Sequence, residues 1–272
     1  MDNYLHNIHK VDNRLNEYIL DQNEKNIHDI RTSIRRLEAA YTASPKKMRK
    51  KKIKEYVMKS KSLFKINSQI RDFDIMLKLT HDGHLSDQQI KSFEDLIKKN
   101  RGIKLSFALS VAHDLRLMTV PRLNKYIDHY NFELLQKKLI KRYTKLITNY
   151  TSKIEKYISI VIMDSKKSKE LHDLRKNAKK LRYILELNLS HATKNNEIKK
   201  DNLIDNQNVV NKIEKLKRMQ DMLGSIHDYD ITMAYLKYFD KNGTCDTRNI
   251  ATQRSDMYNQ FVKYYNSNLS ST

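Results

Sequence analysis

Apolar residues recur at heptad-like spacing along most of the chain, and short polar segments interrupt that spacing. The pattern is typical of amphipathic helices, because residues three and four apart share one helix face. It predicts eight helices, over residues 4–20, 24–43, 46–80, 87–118, 131–163, 167–192, 206–240 and 247–268.

Turn-forming and polar residues separate these helices. Ser44-Pro45 lies between the second and third helices, since proline fits only the first turn of a helix. Pro121 marks a break near the middle of the chain. The polar segments at residues 81–84, 194–196 and 241–243 are expected to form further connections.

The two halves of the sequence resemble each other in two places. IHDIRTSIRRL at residues 27–37 matches LHDLRKNAKKL at residues 171–181, with apolar against apolar and base against base. IRDFDI at residues 70–75 matches IHDYDI at residues 226–231, which places Lys61 opposite Lys217. The repeat predicts an all-α fold built from a duplicated four-helix unit, with residues 1–120 as the first half and 121–272 as the second. Bundles related in this way would place their equivalent faces against each other.

Basic residues border the predicted buried face in both copies of the first motif. On a helix of about 100° per residue, the basic stripe of the first copy is His28, Arg31 and Arg35, beside an apolar stripe of Ile27, Ile30, Ile34, Leu37 and Tyr41. In the second copy the apolar stripe is Leu171, Leu174, Ala178, Leu181 and Leu185, and the basic side holds His172, Arg175, Lys176, Lys179, Arg182 and Tyr183. A face that served only solubility would point away from the core, so the pattern indicates an anion-binding surface.

Like charges four residues apart oppose helix formation at these stripes. The pairs are Arg31/Arg35, Arg175/Lys179 and Lys176/Lys180, and each costs an isolated helix about 0.2–0.5 kcal/mol. Glu38 and Glu186 are expected to neutralise part of this charge. Further bases extend the same hypothesis, namely Lys51, Lys54, Lys61, Lys65 and Arg71 in the first half and Lys215, Lys217 and Arg218 in the second.

The high positive charge and the low glycine and proline content limit the functions and folds that the chain can have. The chain of 272 residues has 53 Lys and Arg against 32 Asp and Glu, a formal net charge of +21. Such an excess attracts polyanions. Only four glycines and two prolines occur, which argues against a barrel, a sandwich or a glycine-rich nucleotide-binding fold.

The cysteine content and the hydropathy of the chain suggest a soluble, cytoplasmic protein. Cys245 is the single cysteine, which excludes an intrachain disulfide and a cysteine-rich zinc site. The amino terminus is polar, without the apolar region of a secretory signal. The densest apolar stretch, residues 158–163, is much shorter than the roughly 20 residues of a membrane helix.

The repeated H-x-x-R-x-x-x-(R/K)-(R/K)-L motif, with the QDMLGSIHDYD element at residues 220–230, resembles the CHAD family, named for its conserved histidines and α-helical domain. The resemblance covers about residues 10–265 and implies two pseudo-twofold-related four-helix bundles around a basic central cavity that binds inorganic polyphosphate. Residue by residue, it assigns binding to His28, Arg31, Arg35, Arg36, His172, Arg175, Lys179, Lys180 and Arg182. The first half departs from the pattern, with Ser68 and Lys65 where Gly224 and Asp221 stand in the second.

We define two groups of candidate binding residues from these considerations. The first basic face is His28, Arg31, Arg35, Arg36, Lys51, Lys54, Lys61, Lys65 and Arg71. The second basic face is His172, Arg175, Lys176, Lys179, Lys180, Arg182, Lys215, Lys217 and Arg218. The expected function is non-enzymatic binding of polyphosphate and other polyanions, with no cofactor and no membrane partner. Association with polyphosphate granules or a polyphosphate-metabolising enzyme would accord with this function.

Several other interpretations remain open at this level. His-Asp dipeptides recur, for example at 28–29 and 172–173, and suggest an HD-type metal-dependent phosphohydrolase. The positive charge also suits an RNA- or DNA-binding helical protein. His28 and His172 could serve a structural role only, the basic run at residues 46–52 suits a solvated surface, and the expected role of Asp72, Asp74, Asp228 and Asp230 is to pair with arginine or cap helices.

Overall fold

The computed structural model describes residues 2–46, 49–80, 87–118, 132–194, 206–240 and 246–268. Its eight regular elements are all α-helices, which confirms the predicted fold class. They are α1 (Asp2–Leu20), α2 (Glu24–Ala43), α3 (Lys51–Thr80), α4 (Asp87–Arg116), α5 (Phe132–Val161), α6 (Ser168–Lys194), α7 (Asn206–Phe239) and α8 (Arg248–Asn268).

The helix bounds agree with the sequence prediction within two residues, except at the start of α3. The periodicity predicts a start at residue 46, but the helix begins at Lys51. Ser44 is extended, and the guanidinium of Arg49 donates hydrogen bonds to the carbonyl oxygens of Ser44 and Thr42, at 3.2 and 2.7 Å. These bonds hold the chain against the end of α2, and α3 starts only after them.

Several predicted connections lie outside the described residues. These are the turn at residues 81–84, the break at Pro121, the polar positions 195–196 and 241–243, and Cys245. Within the part of the chain that is described, no helix combines the length and the apolar character needed to cross a membrane.

The helices form two compact units. The first comprises Met1–Arg71, Ile103–Asn149 and Tyr183–Ile204, and the second comprises Asp72–Gly102, Tyr150–Arg182 and Asp205–Thr272. The boundaries of the units therefore fall within α3, α4, α5 and α6. The predicted division at residue 120, the pseudo-twofold relation and the basic cavity stay predictions.

The first unit is built on the packing of α1 against α2. Asn23 caps α2, since its side-chain oxygen accepts a hydrogen bond from the Asn26 backbone at 2.8 Å. Tyr18 of α1 and Asn67 of α3 are both fully buried, and the Tyr18 hydroxyl donates to the Asn67 side-chain oxygen at 3.0 Å. This bond satisfies two polar groups inside an apolar core.

The second unit has its core where the end of α3 and the start of α4 meet α7 and α8. Its central cluster is Phe73, Met76, Phe93, Ile97, Leu236 and Ile250. Phe73 packs edge-on against Tyr235, with ring centroids 5.8 Å apart, and Phe93 does the same against Phe239 at 5.3 Å. Such edge-to-face pairs add to the free energy gained by burying the rings.

Candidate anion-binding surfaces

The buried and basic stripes of α2 lie side by side, as the sequence predicts. Ile27, Ile30, Ile34 and Leu37 are buried, whereas Tyr41 is only half-buried. Arg31, Arg35 and Arg36 are half-buried and His28 is exposed. The arginines of the first basic face thus lie at the edge of the core of the first unit.

Phe64 of α3 holds two of these arginines. The Arg35 guanidinium lies 4.7 Å from the centre of the Phe64 ring, and that of Arg31 lies 5.8 Å from it. Each is a cation–π contact. The positively charged groups of Arg31 and Arg35 therefore lie against the same aromatic ring, in agreement with the shared stripe that the sequence predicts. The sequence pattern did not point to Phe64.

Carboxylates partly neutralise the first basic face. Lys61 pairs with Glu38 at 2.8 Å, Arg36 lies 3.8 Å from Glu186, and Arg71 pairs with Glu24. Glu38 and Glu186 thus lie beside Lys61 and Arg36, and their effect on the like-charge pairs stays a prediction. Because these pairs are partly exposed to solvent, each stabilises the fold only weakly, and a phosphate could replace any of the three carboxylates at small cost.

The remaining members of the first basic face are more loosely placed. Lys51, Lys54 and Lys65 are exposed along α3. His28 Nε2 lies 3.4 Å from the hydroxyl of Thr32, one turn later on α2. We therefore regard Arg31 and Arg35 as the ordered centre of this face and the lysines as mobile charges around it.

The helix α6 repeats this relation between the buried and basic stripes. Leu171, Leu174, Ala178, Leu181 and Leu185 are all buried, as predicted. Arg175, Lys179 and Arg182 are half-buried, and Lys176 and Lys180 are exposed. Tyr183 does not share the basic side, because it is 5% exposed and belongs to the core.

The Arg175 side chain of α6 packs against α7 beside Gly224. A Cβ atom added to Gly224 would lie 3.7 Å from Nη2 of Arg175 and 3.9 Å from its Nε. These are ordinary van der Waals distances, so the glycine leaves room beside the guanidinium without being strictly required. The Nε atoms of Arg175 and Arg182, like that of Arg31, are buried, which fixes the direction of each guanidinium.

A histidine that the sequence reasoning did not assign to binding joins the second basic face. His227 of α7 contacts His172 of α6, with ring centroids 4.6 Å apart and a tilt of 38°. Burial lowers the pKa of His227 to about 3, assisted by Arg175, His172 and Lys179. Burial also lowers the pKa of His172, followed by the effects of Lys176 and Arg175. Both shifts thus reflect burial first and the neighbouring positive charges second.

Aromatic and backbone contacts position the other bases of the second face. The Lys180 ammonium lies 6.0 Å from the Tyr150 ring centre, and the Arg218 guanidinium lies 5.7 Å from that of Tyr264. Lys215 donates to the carbonyl oxygen of Asn268 at 2.9 Å. Lys217 is exposed.

The acidic residues of the second motif pair with arginine, as expected for Asp74 and Asp230. Arg101 Nε donates to Asp74 at 2.7 Å, and Arg254 Nε donates to Asp230 at 3.0 Å. Equivalent positions of the two motifs thus form the same kind of ion pair, each between consecutive helices. Among the described residues, no group of three or more His, Cys, Asp and Glu side chains converges to hold a metal ion.

Comparison with known families accounts for this combination of all-helical fold and repeated basic motifs. The family model described as CHAD domain matches residues 5–237 of the chain. The chain belongs to the CHAD family. The expectation drawn from its motifs is confirmed.

A solved structure supports the fold. The crystal structure of the CHAD domain from the plant Ricinus communis is 13% identical in sequence, with a TM-score of 0.57, and the match covers 98% of this chain and 86% of the plant chain. At this identity the likeness concerns the fold alone. No curated protein matches the chain.

The departures of this CHAD domain from its own repeat have simple structural consequences. Ser68, at the position matched with Gly224, is half-buried, and its hydroxyl donates to the Phe64 carbonyl oxygen at 2.9 Å. Lys65, at the position matched with Asp221, is exposed. Neither change disturbs α3, and Lys65 adds a positive charge to the first face.

Proposed function

We propose that this CHAD domain binds inorganic polyphosphate through the first and second basic faces. The proposal rests on one observation, that positively charged side chains are held close together at the edge of the core. Arg31 and Arg35 share the Phe64 ring, and Arg175, Lys176 and Lys179 together lower the pKa of His172 after burial has done so. An anion placed against such cations relieves their repulsion.

The chemistry of the side chains suits a phosphate chain. Guanidinium groups donate paired hydrogen bonds to phosphate oxygens, and lysines follow a flexible polymer as mobile point charges. The role of polyphosphate itself rests on the resemblance of the motifs to the CHAD family. Both faces are built from two helices with the arginines nearest the core, so a repetitive ligand with one charge per unit would be accommodated without a shape-specific pocket.

We also propose a cellular role that suits this ligand. A protein of this kind would act in the cytoplasm, at polyphosphate granules or beside an enzyme that makes or degrades the polymer. We propose no catalytic step and no cofactor, because the arginine and lysine side chains account for binding without either.

The direct test is calorimetric titration of long-chain polyphosphate into the protein at about 50 and 200 mM salt. Binding through many charged contacts should weaken at least about ten-fold over this range. RNA of matched total charge should displace the polymer poorly, since a nucleic-acid reader would stack or read bases. Equal or better binding of RNA would favour the nucleic-acid alternative.

The same titration distinguishes binding from hydrolysis. We expect no release of orthophosphate when Mg²⁺ or Mn²⁺ is added to the complex. Steady release, lost on chelation of the metal, would instead support the HD-type phosphohydrolase.

A further inference from the structure

Two imidazole rings lie in contact within the second basic face. The centroids of His172 and His227 are 4.6 Å apart, and both residues are half-buried. The Nδ1 atom of His172 is buried and makes no hydrogen bond to the residues described. A buried ring nitrogen without a partner is costly, and a proton or an anion nearby would change that cost.

Charged groups surround the pair from both helices. On α6, Lys176, Arg175 and Lys179 disfavour a proton on His172, whereas Asp173 favours one. Asp173 is itself held by Lys176 at 2.8 Å. On α7, His227 faces the same cations, Arg175 and Lys179. Burial therefore disfavours a proton on both imidazoles, and the cations, which outnumber Asp173, add to this effect.

The first unit has no equivalent imidazole pair in the aligned motifs. Arg71 occupies the position matched with His227, and it pairs with Glu24 at the start of α2. His28, matched with His172, is exposed and lies beside Thr32. A permanent charge in one repeat thus stands where the other has a neutral imidazole, that of His227.

We propose that the His172–His227 pair is a proton switch of the second basic face, which takes up one proton when polyphosphate binds beside Arg175. The proposal rests on the polyphosphate-binding function. A bound polyanion neutralises Arg175, Lys176 and Lys179 and adds negative charge, so it removes the repulsion that keeps His172 neutral. The proton comes from solvent and binds a ring nitrogen of His172.

His227 limits the uptake to a single proton. Two imidazolium rings in contact repel each other, and His227 is the more deeply shielded from water by burial, so it stays neutral and packs against the charged ring. The pair therefore titrates as one unit. Binding is tighter at pH 6 than at pH 8, and a rise in pH releases the polymer.

The test is calorimetric titration of wild-type protein at pH 7 in buffers of different ionisation enthalpy, with long-chain polyphosphate, whose terminal groups are few. We expect an uptake of about 0.3–1 proton per protein molecule bound, and affinity at least about three-fold weaker at pH 8 than at pH 6. No binding in any buffer would contradict the proposed function itself. Binding without proton uptake would overturn the switch and leave the function standing.

Two variants locate the proton, and a third serves as control. His172→Gln should abolish the uptake per protein molecule. His227→Arg, which copies the first repeat, should lower the uptake, because one more permanent cation beside His172 disfavours its protonation. His113→Gln removes an exposed imidazole of α4 outside both faces and should leave the uptake unchanged. Uptake that persists in folded His172→Gln protein, judged by circular dichroism, would refute the assignment.

Discussion

At the scale of single residues, His227 makes the stability of the folded protein depend on pH. Its imidazole is neutral in the folded protein, because burial and neighbouring cations lower its pKa to about 3. An unfolded chain restores a pKa of about 6.5. Between these pH values the unfolded state binds more protons, so the fold loses stability as the pH falls.

Replacement of His227 by Gln should remove this dependence. Between pH 7 and 5, the free energy of unfolding of the wild-type protein should fall by about 1–2 kcal/mol more than that of His227→Gln. Urea unfolding at a series of pH values measures the difference. Parallel pH profiles for the two proteins would show that His227 has the same pKa in the folded and unfolded states.

The sequence pattern predicted most of the candidate binding residues, but not the side chains from other helices that contact them. The stripe of Arg31 and Arg35 follows from helical periodicity, which is local. Phe64 and His227 belong to other helices, and their contacts depend on how α3 packs on α2 and α7 on α6. The match of Arg71 with His227 in the repeat and the His-Asp dipeptide at 227–228 were signals for the imidazole, but neither carries information on burial.

At the scale of helices, two Asp–Arg ion pairs join consecutive elements in the second unit. Arg254 is only 8% exposed, and its other hydrogen bond goes to the Ser165 carbonyl oxygen at 2.7 Å. Arg101 has a more exposed side chain, at 27%. Loss of the carboxylate leaves a buried guanidinium without its counter-ion, which is costly in proportion to burial.

We therefore expect Asp230→Asn to lower the free energy of unfolding by about 2–3 kcal/mol and Asp74→Asn by about 1–2 kcal/mol. Lys52→Gln is the control, since it breaks an exposed pair with Glu55 and should cost less than about 0.5 kcal/mol. Urea denaturation ranks the three variants. Equal, small losses at both aspartates would show that the pairs do not hold the helices together.

Two glycines inside long helices give a second test at this scale. A Cβ at Gly224 meets Arg175 at ordinary contact distance, and one at Gly102 meets nothing within 4 Å. Because glycine lowers helix stability relative to alanine, Gly224→Ala and Gly102→Ala should each raise the free energy of unfolding by about 0.5–1 kcal/mol. A loss of stability at Gly224 alone would indicate that Arg175 requires the bare backbone.

Helix positions were predictable because the apolar period is a property of each segment alone. The start of α3 was not, since Arg49 reaches back to the carbonyl oxygens at the end of α2. A side-chain contact back to the preceding helix thus outweighs the apolar period at the start of α3, which begins at Lys51.

At the scale of the whole molecule, the sequence pattern predicted the positions of the basic residues but not the boundaries of the compact units. All nine members of the first basic face lie in the first compact unit, and all members of the second face lie in the second. Yet the unit boundaries cut through four helices, which no local pattern in the sequence indicated. Packing between distant segments decides such boundaries, and hydrophobic periodicity does not encode it.

The central claim is that the two basic faces, and not the net charge of +21, bind polyphosphate. The most direct measurement compares polyphosphate affinity of Arg31→Glu/Arg175→Glu with that of Lys99→Glu/Lys263→Glu, which changes the charge equally on α4 and α8, helices that carry no member of either face. With helicity retained in both, the arginine variant should lose more than about 30-fold in affinity and the lysine variant less than about three-fold. Equal losses in the two variants would contradict the account.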